Sequence, residues 1–332
     1  MPLLSICIPT YNRPDCLREA IQSVLDSSLL CRNEIEILVA DDGTAPETLQ
    51  VLEEFKEEFK NGSYPELRFY RNPVNLGIDD NFFAVTQQAA GTFVLLLGDD
   101  DRLAQNAIPE ILARIKAGSD LVISNFSIWS KDFSEKRQDW SFPFREDRVF
   151  TDPNEVLETF GLCLGYISIV TMKKSKVLSI SRAQCEAYRG CGFPLLYSIY
   201  ASLLPSCRVS YVGGSLIYNR SDNSGQYDWH HYFITGSSTI FEGLRKAGFS
   251  RQAVHQANRL VLLDFIIYNL IGLRFSNTPK AGLLGLLFKA YKFQTLFWWL
   301  ILPIQWAPFK WLLSLKESLL QLPKNLKFKM LH

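Results

Sequence analysis

Short apolar runs alternate with helix-like segments along the first 126 residues of the chain. The runs, each long enough for one strand, are residues 3–9, 35–40, 67–70, 92–97 and 121–126. The segments between them, with apolar residues three or four positions apart, are 14–28, 46–60, 79–90 and 105–116. Strands that alternate with helices of this length predict βαβ units, and therefore a mostly parallel sheet flanked by helices.

Polar side chains follow each of the first four predicted strands. They form the segments PTYNR (9–13), DDGT (41–44), RNPVNLG (71–77) and GDDD (98–101). Ligands of open parallel sheets bind outside the carboxyl ends of the strands. We therefore expect the functional site where these four segments meet.

Three consecutive carboxylates, Asp99, Asp100 and Asp101, follow an apolar strand. They repel one another, and a divalent cation would neutralise them, because Mg²⁺ and Mn²⁺ prefer carboxylate oxygens and substrate phosphates. The alternative is an acidic turn that caps the helix beginning near Gln105. Asp41 also has two interpretations: an Asp-Gly turn former, or a carboxylate that accepts hydrogen bonds from a base or ribose.

Taken together, the four segments in this order resemble those of the family 2 glycosyltransferases, over residues 4–126. The resemblance implies the GT-A fold, a Rossmann-like α/β nucleotide-diphospho-sugar transferase domain, here with a C-terminal helical extension. It implies a nucleotide-diphosphate sugar donor and bound Mn²⁺ or Mg²⁺.

The resemblance also implies roles for individual residues. The nucleotide would contact Pro9, Thr10, Tyr11, Asp41, Arg71 and Asn75. Asp99, Asp100 and Asp101 match the DXD motif; Asp101 would bind the metal, and Asp99 the ribose or a metal-bound water. Taken singly, Tyr11 could equally be a core aromatic residue and Asn75 a turn residue.

The general base that an inverting transfer needs is not marked by the sequence. Family members often carry it in an acidic pair before a helix, and the matching stretch here, 185–194, has no such pair. Glu186 and Asp222 are the candidates, each of which could equally be a solvated surface residue. Arg220 could face the diphosphate or form a surface ion pair.

Within the family, the segment CGFP (191–194) and the overall length are similar to abequosyltransferase-like enzymes of bacterial O-antigen assembly. This resemblance implies transfer of a deoxysugar to a lipid-linked oligosaccharide on a polyprenyl diphosphate carrier.

The net charge of +1 is the sum of two unlike parts. Residues 273–332 hold nine basic residues and one acidic residue, which gives +8; residues 1–272 hold 26 basic and 33 acidic residues, which gives −7. Four of the seven tryptophans lie in the basic part. The balance excludes a uniformly basic nucleic-acid-binding protein.

The basic part predicts an association with an anionic membrane surface, because tryptophan and lysine suit the headgroup region. The alternatives are helices that pack on the catalytic domain, or a short re-entrant or spanning helix in 293–309, which two prolines make marginal. The run 260–273, with one Asp, predicts a buried core helix. We divide the chain into a nucleotide-sugar-binding half (1–126), an acceptor-binding half (127–272) and a membrane-associating tail (273–332).

The first residues carry no basic segment, and the first apolar run ends at Pro9, which is too short for a signal peptide. With the tail, this predicts a cytoplasmic protein, peripheral on the inner face of the bacterial plasma membrane. The oligomeric state is not indicated.

Two other classes of protein fit part of the pattern. A nucleotidyltransferase would need a glycine-rich basic loop after the first strand, and Thr10–Arg13 has no glycine. A non-catalytic binder of sugar nucleotides or lipids would explain the missing acidic pair.

Overall fold

The structure is a computed structural model of the chain. It describes residues 1–59, 65–139, 142, 144–193, 195–221, 228, 230–275, 282–304, 306, 308, 310–312 and 314. Asp222, the second candidate for the base, therefore lies outside the described residues, as does the part of the tail beyond residue 314.

Ten strands form one sheet within these described ranges. They are β1 (Leu4–Thr10), β2 (Ile35–Asp41), β3 (Glu66–Arg71), β4 (Phe93–Leu96), β5 (Arg102–Leu103), β6 (Leu121–Trp129), β7 (Lys136–Gln138), β8 (Arg148–Phe150), β9 (Val170–Lys173) and β10 (Val209–Arg220). The order is β3-β2-β1-β4-β9-β6-β10-β5, with β7 beside β6 and β8 beside β10.

Helices cover the sheet and form the C-terminal part of the described chain. They are α1 (Pro14–Ser27), α2 (Pro46–Phe59), α3 (Ile78–Gln88), α4 (Ala107–Lys116), α5 (Pro153–Phe160), α6 (Lys174–Leu178), α7 (Arg182–Cys185), α8 (Leu196–Ala201), α9 (Ser237–Ala247), α10 (Arg251–Val261), α11 (Ile267–Phe275), α12 (Leu283–Tyr291) and α13 (Leu302–Ile304). Three wider π-helical turns adjoin these helices. They are His231–Gly236 before α9, Leu262–Ile266 between α10 and α11, and Phe297–Ile301 before α13.

The alternating elements predicted for the first 126 residues are present in the structure. β1 and β2 are buried along their whole length, as expected for parallel strands covered on both faces. In α1, a proline begins the helix, and Leu17, Ile21 and Val24 bury one face. The four parallel strands β3, β2, β1 and β4 therefore bring the four polar segments to one edge.

The sheet continues with strands that come from beyond residue 126. β9 runs antiparallel to both β4 and β6, and it separates these two strands. β10 then pairs in parallel with β6, so that its last residue, Arg220, lies opposite Trp129. One sheet therefore contains strands from both predicted halves of the chain.

The C-terminal helices pack on the domain through one face and expose the other. Leu287 and Tyr291 of α12 are buried, and the Tyr291 hydroxyl donates a hydrogen bond to the Phe233 carbonyl at 3.0 Å. The predicted core helix is confirmed, since Ile266, Ile267 and their apolar neighbours are buried. Within the described residues, no helix combines the length and the apolar character needed to cross a bilayer.

A buried glutamate ties together the end of the sheet opposite the polar segments. The Glu36 carboxylate on β2 accepts hydrogen bonds from the Ser5 hydroxyl on β1, from Arg68 Nη1 on β3 at 2.9 Å, and from the Ala90 amide. Its side chain is wholly buried. Three donors from separate segments therefore depend on one carboxylate.

We expect Glu36→Ala to lower the free energy of unfolding by about 2–4 kcal/mol, because it leaves buried donors without an acceptor. Urea unfolding of the purified protein measures this. The control is Glu54→Ala, which removes an exposed pair with Arg18 and should leave the midpoint nearly unchanged. Equal shifts for the two variants would contradict this role of Glu36.

Candidate active site

A cavity of about 500 Å³ lies at the carboxyl ends of β1 and β4. Its wall contains residues from all four polar segments, together with residues 165–168 and Gly192. Parallel pairing explains the arrangement: Thr10 lies opposite Asp41 in β2, and Asp41 lies opposite Arg71 in β3. The site predicted at this edge of the sheet therefore corresponds to a real concavity.

Residues of the first polar segment bind the carboxylates of Asp99 and Asp100 in the acidic turn, which we define as Asp99, Asp100 and Asp101. Thr10 Oγ1 donates a hydrogen bond to Asp99 Oδ2 at 2.7 Å. Arg13 Nη1 lies 3.3 Å from Asp99 Oδ1 and 2.9 Å from Asp100 Oδ2. Pro9 and Tyr11 line the same cavity, and Tyr11 is 53% exposed, so its ring is available to a ligand and is not part of the core.

A side-chain clasp joins the first segment to the second. Asn12 has a positive φ of 54°, and its Oδ1 accepts hydrogen bonds from the amides of Thr44 at 2.8 Å and Ala45 at 2.9 Å. A Cβ on Gly43 would lie 2.3 Å from Asn12 Oδ1. Only glycine fits at position 43 while the clasp is closed.

Asp41 and Arg71 form an ion pair beneath the cavity wall. The Asp41 carboxylate is fully buried and accepts hydrogen bonds from Arg71 Nε at 2.7 Å and from the Gly43 amide at 2.9 Å. Arg71 also donates to the Ala45 carbonyl at 2.6 Å. Neither side chain lines the cavity, so direct contact with a nucleotide stays a prediction for both.

The neighbouring Asp42 lines the cavity instead. Its Oδ1 accepts from the Leu76 amide at 2.8 Å and from Asn72 Nδ2 at 2.9 Å, and its Oδ2 accepts from the Gly77 amide at 2.9 Å. Asp42 thus anchors the third polar segment, whose Asn75 also reaches the cavity. Asp42 was not among the residues expected at the site, although it is the second aspartate of the segment DDGT (41–44).

The acidic turn carries negative charge that the protein only partly neutralises. Burial raises the pKa of Asp99 to about 6, and it raises the pKa of Asp101 to about 7, with the adjacent Asp100 carboxylate adding to both. Asp100 itself is more exposed, with 26% of its side chain accessible. Burial and mutual repulsion are the reasons that a cation would be favourable here.

Asp101 is enclosed by donors from distant parts of the chain. Its Oδ2 accepts from the hydroxyls of Tyr166 at 2.7 Å and Ser168 at 2.5 Å. Its Oδ1 accepts from Asn219 Nδ2 at 3.2 Å and from the Arg220 amide at 3.4 Å. No motif marks Tyr166 or Ser168 in advance, because they stand in the largely apolar stretch 166–170.

A divalent cation fits the chemistry of this turn. Asp99, Asp100 and Asp101 all line the cavity and offer the oxygen ligands that Mg²⁺ and Mn²⁺ prefer. Among the described residues, no group of three Asp, Glu, His or Cys side chains has the geometry of a complete metal site. Such a cation would need further ligands, and Mg²⁺ commonly takes them from substrate phosphates and water.

Arg220 braces the acidic turn from outside the cavity. Its Nε donates to the Asp100 carbonyl at 3.0 Å, its Nη1 donates to the Lys131 carbonyl at 2.6 Å, and its Nη2 pairs with Glu19. The Phe133 ring lies 4.5 Å from the guanidinium. Of the two interpretations considered for Arg220, the structure shows an ion pair, and contact with a diphosphate stays a prediction.

Glu186 also lies away from the cavity. It belongs to the short turn Glu186–Tyr188, its side chain is 59% exposed, and it pairs with Arg189 at 3.5 Å. It borders a separate, smaller depression beside Asp79 and Asp80. A surface position, the alternative considered for this residue, describes it better.

The segment 182–192 is fastened to α3 near the cavity. Asp80 pairs with both Arg182 and Arg189, and Asp79 Oδ2 accepts from the Gly190 amide at 2.7 Å. These contacts fix the course of the chain toward Gly192, which lines the cavity.

Comparison with known proteins identifies the family. The family model described as "Glycosyl transferase family 2" matches residues 5–171, half of the chain, from β1 into β9 and across the whole acidic turn. The chain belongs to glycosyl transferase family 2. The glycosyltransferase class and the recognition made from the four motifs are therefore confirmed.

Two relatives indicate the part of the family to which this glycosyltransferase is similar. An abequosyltransferase of Salmonella typhimurium is 27% identical over 278 residues, which cover 80% of this chain and 73% of that protein. A GalNAc(5)-diNAcBac-PP-undecaprenol beta-1,3-glucosyltransferase of Campylobacter jejuni is 30% identical over 141 residues, which cover 41% of this chain and 43% of that protein.

Solved structures confirm the predicted GT-A fold. Residues 1–349 of S. aureus TarS in complex with UDP-GlcNAc superpose with a TM-score of 0.64 at 17% identity, covering 86% of this chain and 80% of that one. A mannosyltransferase from Pyrobaculum calidifontis in complex with GDP-Man and Mn²⁺ gives a TM-score of 0.50 at 12% identity, covering 96% and 87%.

Proposed function

We propose that this glycosyltransferase moves a deoxysugar from a nucleotide-diphosphate donor to a polyprenyl-diphosphate-linked oligosaccharide during O-antigen or related cell-surface polysaccharide synthesis. The observation that carries the proposal is the cavity at the carboxyl ends of the parallel strands, whose wall contains both the acidic turn and the exposed Tyr11. The names of the Salmonella and Campylobacter relatives support the choice of sugar and of lipid carrier.

The donor nucleotide is assigned to the side of the cavity formed by Pro9, Thr10 and Tyr11. The exposed Tyr11 ring offers a surface on which a base can stack. Asp42 and Asn75 line the wall near it. Asp41 and Arg71 support that wall as a buried pair, and a direct contact with the base or ribose would require Arg71 to release the carboxylate.

The sugar diphosphate is assigned to the acidic turn, with Asp99, Asp100 and Asp101 as the residues that would hold Mn²⁺ or Mg²⁺. When bound, such an ion stabilises the charge that develops on the diphosphate leaving group. Arg13 contributes a positive charge beside the acidic turn, and its partly exposed guanidinium can turn toward the phosphates of the donor. Tyr166 and Ser168 keep the Asp101 carboxylate oriented.

We expect Asp101→Asn to abolish metal-dependent transfer while the fold survives. An asparagine amide can donate to the hydroxyls of Tyr166 and Ser168, which can accept as well as donate. Near-ultraviolet circular dichroism checks the fold, and titration with Mn²⁺ checks the metal dependence. The control is Asp139→Asn, an exposed carboxylate paired with Lys136. Full activity of the Asp101 variant in chelated buffer would refute its role.

The transfer is proposed to invert the anomeric carbon, which requires a base at the acceptor hydroxyl. The exposed position of Glu186 favours Asp222 as that base, although Asp222 lies outside the described residues.

A panel of sugar nucleotides tests the function and names the donor. The correct donor with Mn²⁺ should raise the thermal midpoint, since a ligand that binds the native state stabilises it. With a membrane acceptor extract, the same donor should release nucleoside diphosphate. Stabilisation without release would instead indicate a non-catalytic sugar-nucleotide binder.

The same assay separates the two base candidates. Asp222→Asn should lower kcat by about 100-fold or more, whereas Glu186→Gln should stay close to the parent protein. The reverse order would assign the base to Glu186. Nuclear magnetic resonance of the product gives the anomeric configuration, and a retained configuration would overturn the inverting mechanism.

The exposed face of the C-terminal helices supports a peripheral position on the inner face of the bacterial plasma membrane. Among the described residues of this face, large aromatic side chains are exposed at Phe293, Trp298, Trp299, Trp306 and Trp311. Tryptophan rings are enriched at the level of lipid headgroups, and the basic charge of the tail would be attracted to anionic lipid.

We expect Phe293→Ser/Trp299→Ser to weaken sedimentation with phosphatidylglycerol vesicles by about tenfold or more, because these residues, 85% and 80% exposed, would enter the headgroup region. The matched control is Leu29→Ser/Leu30→Ser, an exposed apolar pair after α1. Equal sedimentation of both variants would argue against the tail as the membrane contact.

A further inference from the structure

A second concavity in the described part of the chain, larger than the cavity at the acidic turn, is a groove outside the candidate active site. It has a volume of about 940 Å³, against about 500 Å³ for the cavity at the acidic turn. Helices α9, α10 and α12 form its walls. Nothing in the proposed donor chemistry uses this groove.

Cationic side chains from three helices line the groove. Lys246 comes from the end of α9, Arg251 from the start of α10 and Lys289 from α12. None of these three forms an ion pair with a described residue. The groove also contains Glu242, which pairs with Arg245 at 2.7 Å and is further stabilised by the charge of Lys246; since Arg245 lines the groove too, four cationic side chains stand against this one carboxylate. The remaining positive charge suits a phosphate-bearing ligand.

The rim of the groove is apolar where α12 ends. Leu286 and Phe293 line the groove and are nevertheless 41% and 85% exposed. Phe293, in the turn after α12, is one of the residues proposed above to contact the membrane, and Leu286 is an exposed residue of α12. A ligand with a charged head and an apolar chain would meet both kinds of surface, whereas a free phosphate would use only the cations.

One short segment connects the groove with the active site. Ala187 and Tyr188 line the groove, and Gly192, four residues after Tyr188, lines the cavity at the acidic turn. The segment packs closely against the turn His231–Gly236 and against α9. A Cβ on Gly192 would lie 2.3 Å from the Tyr232 ring, and a Cβ on Gly243 would lie 2.0 Å from the Tyr188 hydroxyl. This close packing therefore holds the groove and the cavity at the acidic turn in a defined position relative to each other.

We infer that the groove binds the diphosphate and the first isoprenoid units of the acceptor's lipid carrier. Lys246, Arg251 and Lys289 hold the phosphates, the apolar rim contacts the chain that leads to the membrane, and the glycan extends past Gly192 to the donor. This inference rests on the proposed function, because it assigns a subsite to the proposed acceptor.

Binding of polyprenyl diphosphate in non-ionic detergent micelles tests the subsite, with polyprenyl alcohol as the uncharged comparison. The parent protein should bind the diphosphate at least about tenfold more tightly than the alcohol. Lys246→Gln/Lys289→Gln should lose most of that difference. Lys56→Gln/Lys116→Gln, which removes the same charge from exposed positions on α2 and α4, should keep it.

Three results would overturn the subsite. The first is equal affinity of the parent protein for diphosphate and alcohol, and the second is an equal loss in both double variants. The third concerns phosphatidylglycerol vesicles: if Lys246→Gln/Lys289→Gln loses binding to them as strongly as binding to polyprenyl diphosphate, the groove is a general headgroup contact and the inference is wrong.

A further measurement separates the subsite from the proposed function. Stabilisation by the donor with Mn²⁺ should be the same in Lys246→Gln/Lys289→Gln and in the parent protein. A parent protein that binds polyprenyl diphosphate through these lysines but transfers no sugar would refute the proposed function and leave the subsite standing. Transfer with unchanged acceptor KM in the variant would refute the subsite alone.

Discussion

The need to bury and satisfy consecutive carboxylates at the end of β4 constrains the rest of the structure. Asp99 and Asp101 are only 6% and 2% exposed, and buried charge is costly unless it is paired or hydrogen-bonded. Thr10, Tyr166, Ser168 and other donors supply part of that compensation. Under the proposed function, a cation and the donor diphosphate would supply the remainder, so the carboxylates that cost stability would also form the binding site.

This constraint links the acidic turn to strands that extend the sheet beyond the first four parallel ones. The donors around Asp101 come from the turn before β9 and from the end of β10, which lie 65 to 119 residues away along the chain. β9 enters between β4 and β6 in the antiparallel direction, which carries Tyr166 and Ser168 to the acidic turn. β10 pairs with β6 and ends beside the same carboxylate. The sheet begun by the first 126 residues is thus completed by strands from the rest of the chain.

The local sequence pattern was enough to predict the strands and the acidic turn of the candidate site. It could not predict contacts between side chains that lie far apart in the sequence. Apolar runs and the polar residues after them located the strands and the acidic turn, because each of these features is formed by residues adjacent in the sequence. Whether Asp41 or Asp42 lines the cavity depends on the pairing of Asp41 with Arg71, 30 residues away. For Arg220 the sequence left contact with the diphosphate or an ion pair open, and no local pattern could indicate its actual partner, Glu19, 201 residues away.

The clasp between Asn12 and Gly43 has a consequence for how such a site can change during evolution. Position 43 cannot accept a side chain without opening the clasp, since its Cβ would meet Asn12 Oδ1 at 2.3 Å. Tyr11 and Asn75 line the same wall without that restriction. With the donor nucleotide assigned to this wall under the proposed function, a change of nucleobase preference would arise more easily by substitution at these two positions, while the clasp keeps the backbone around them in place.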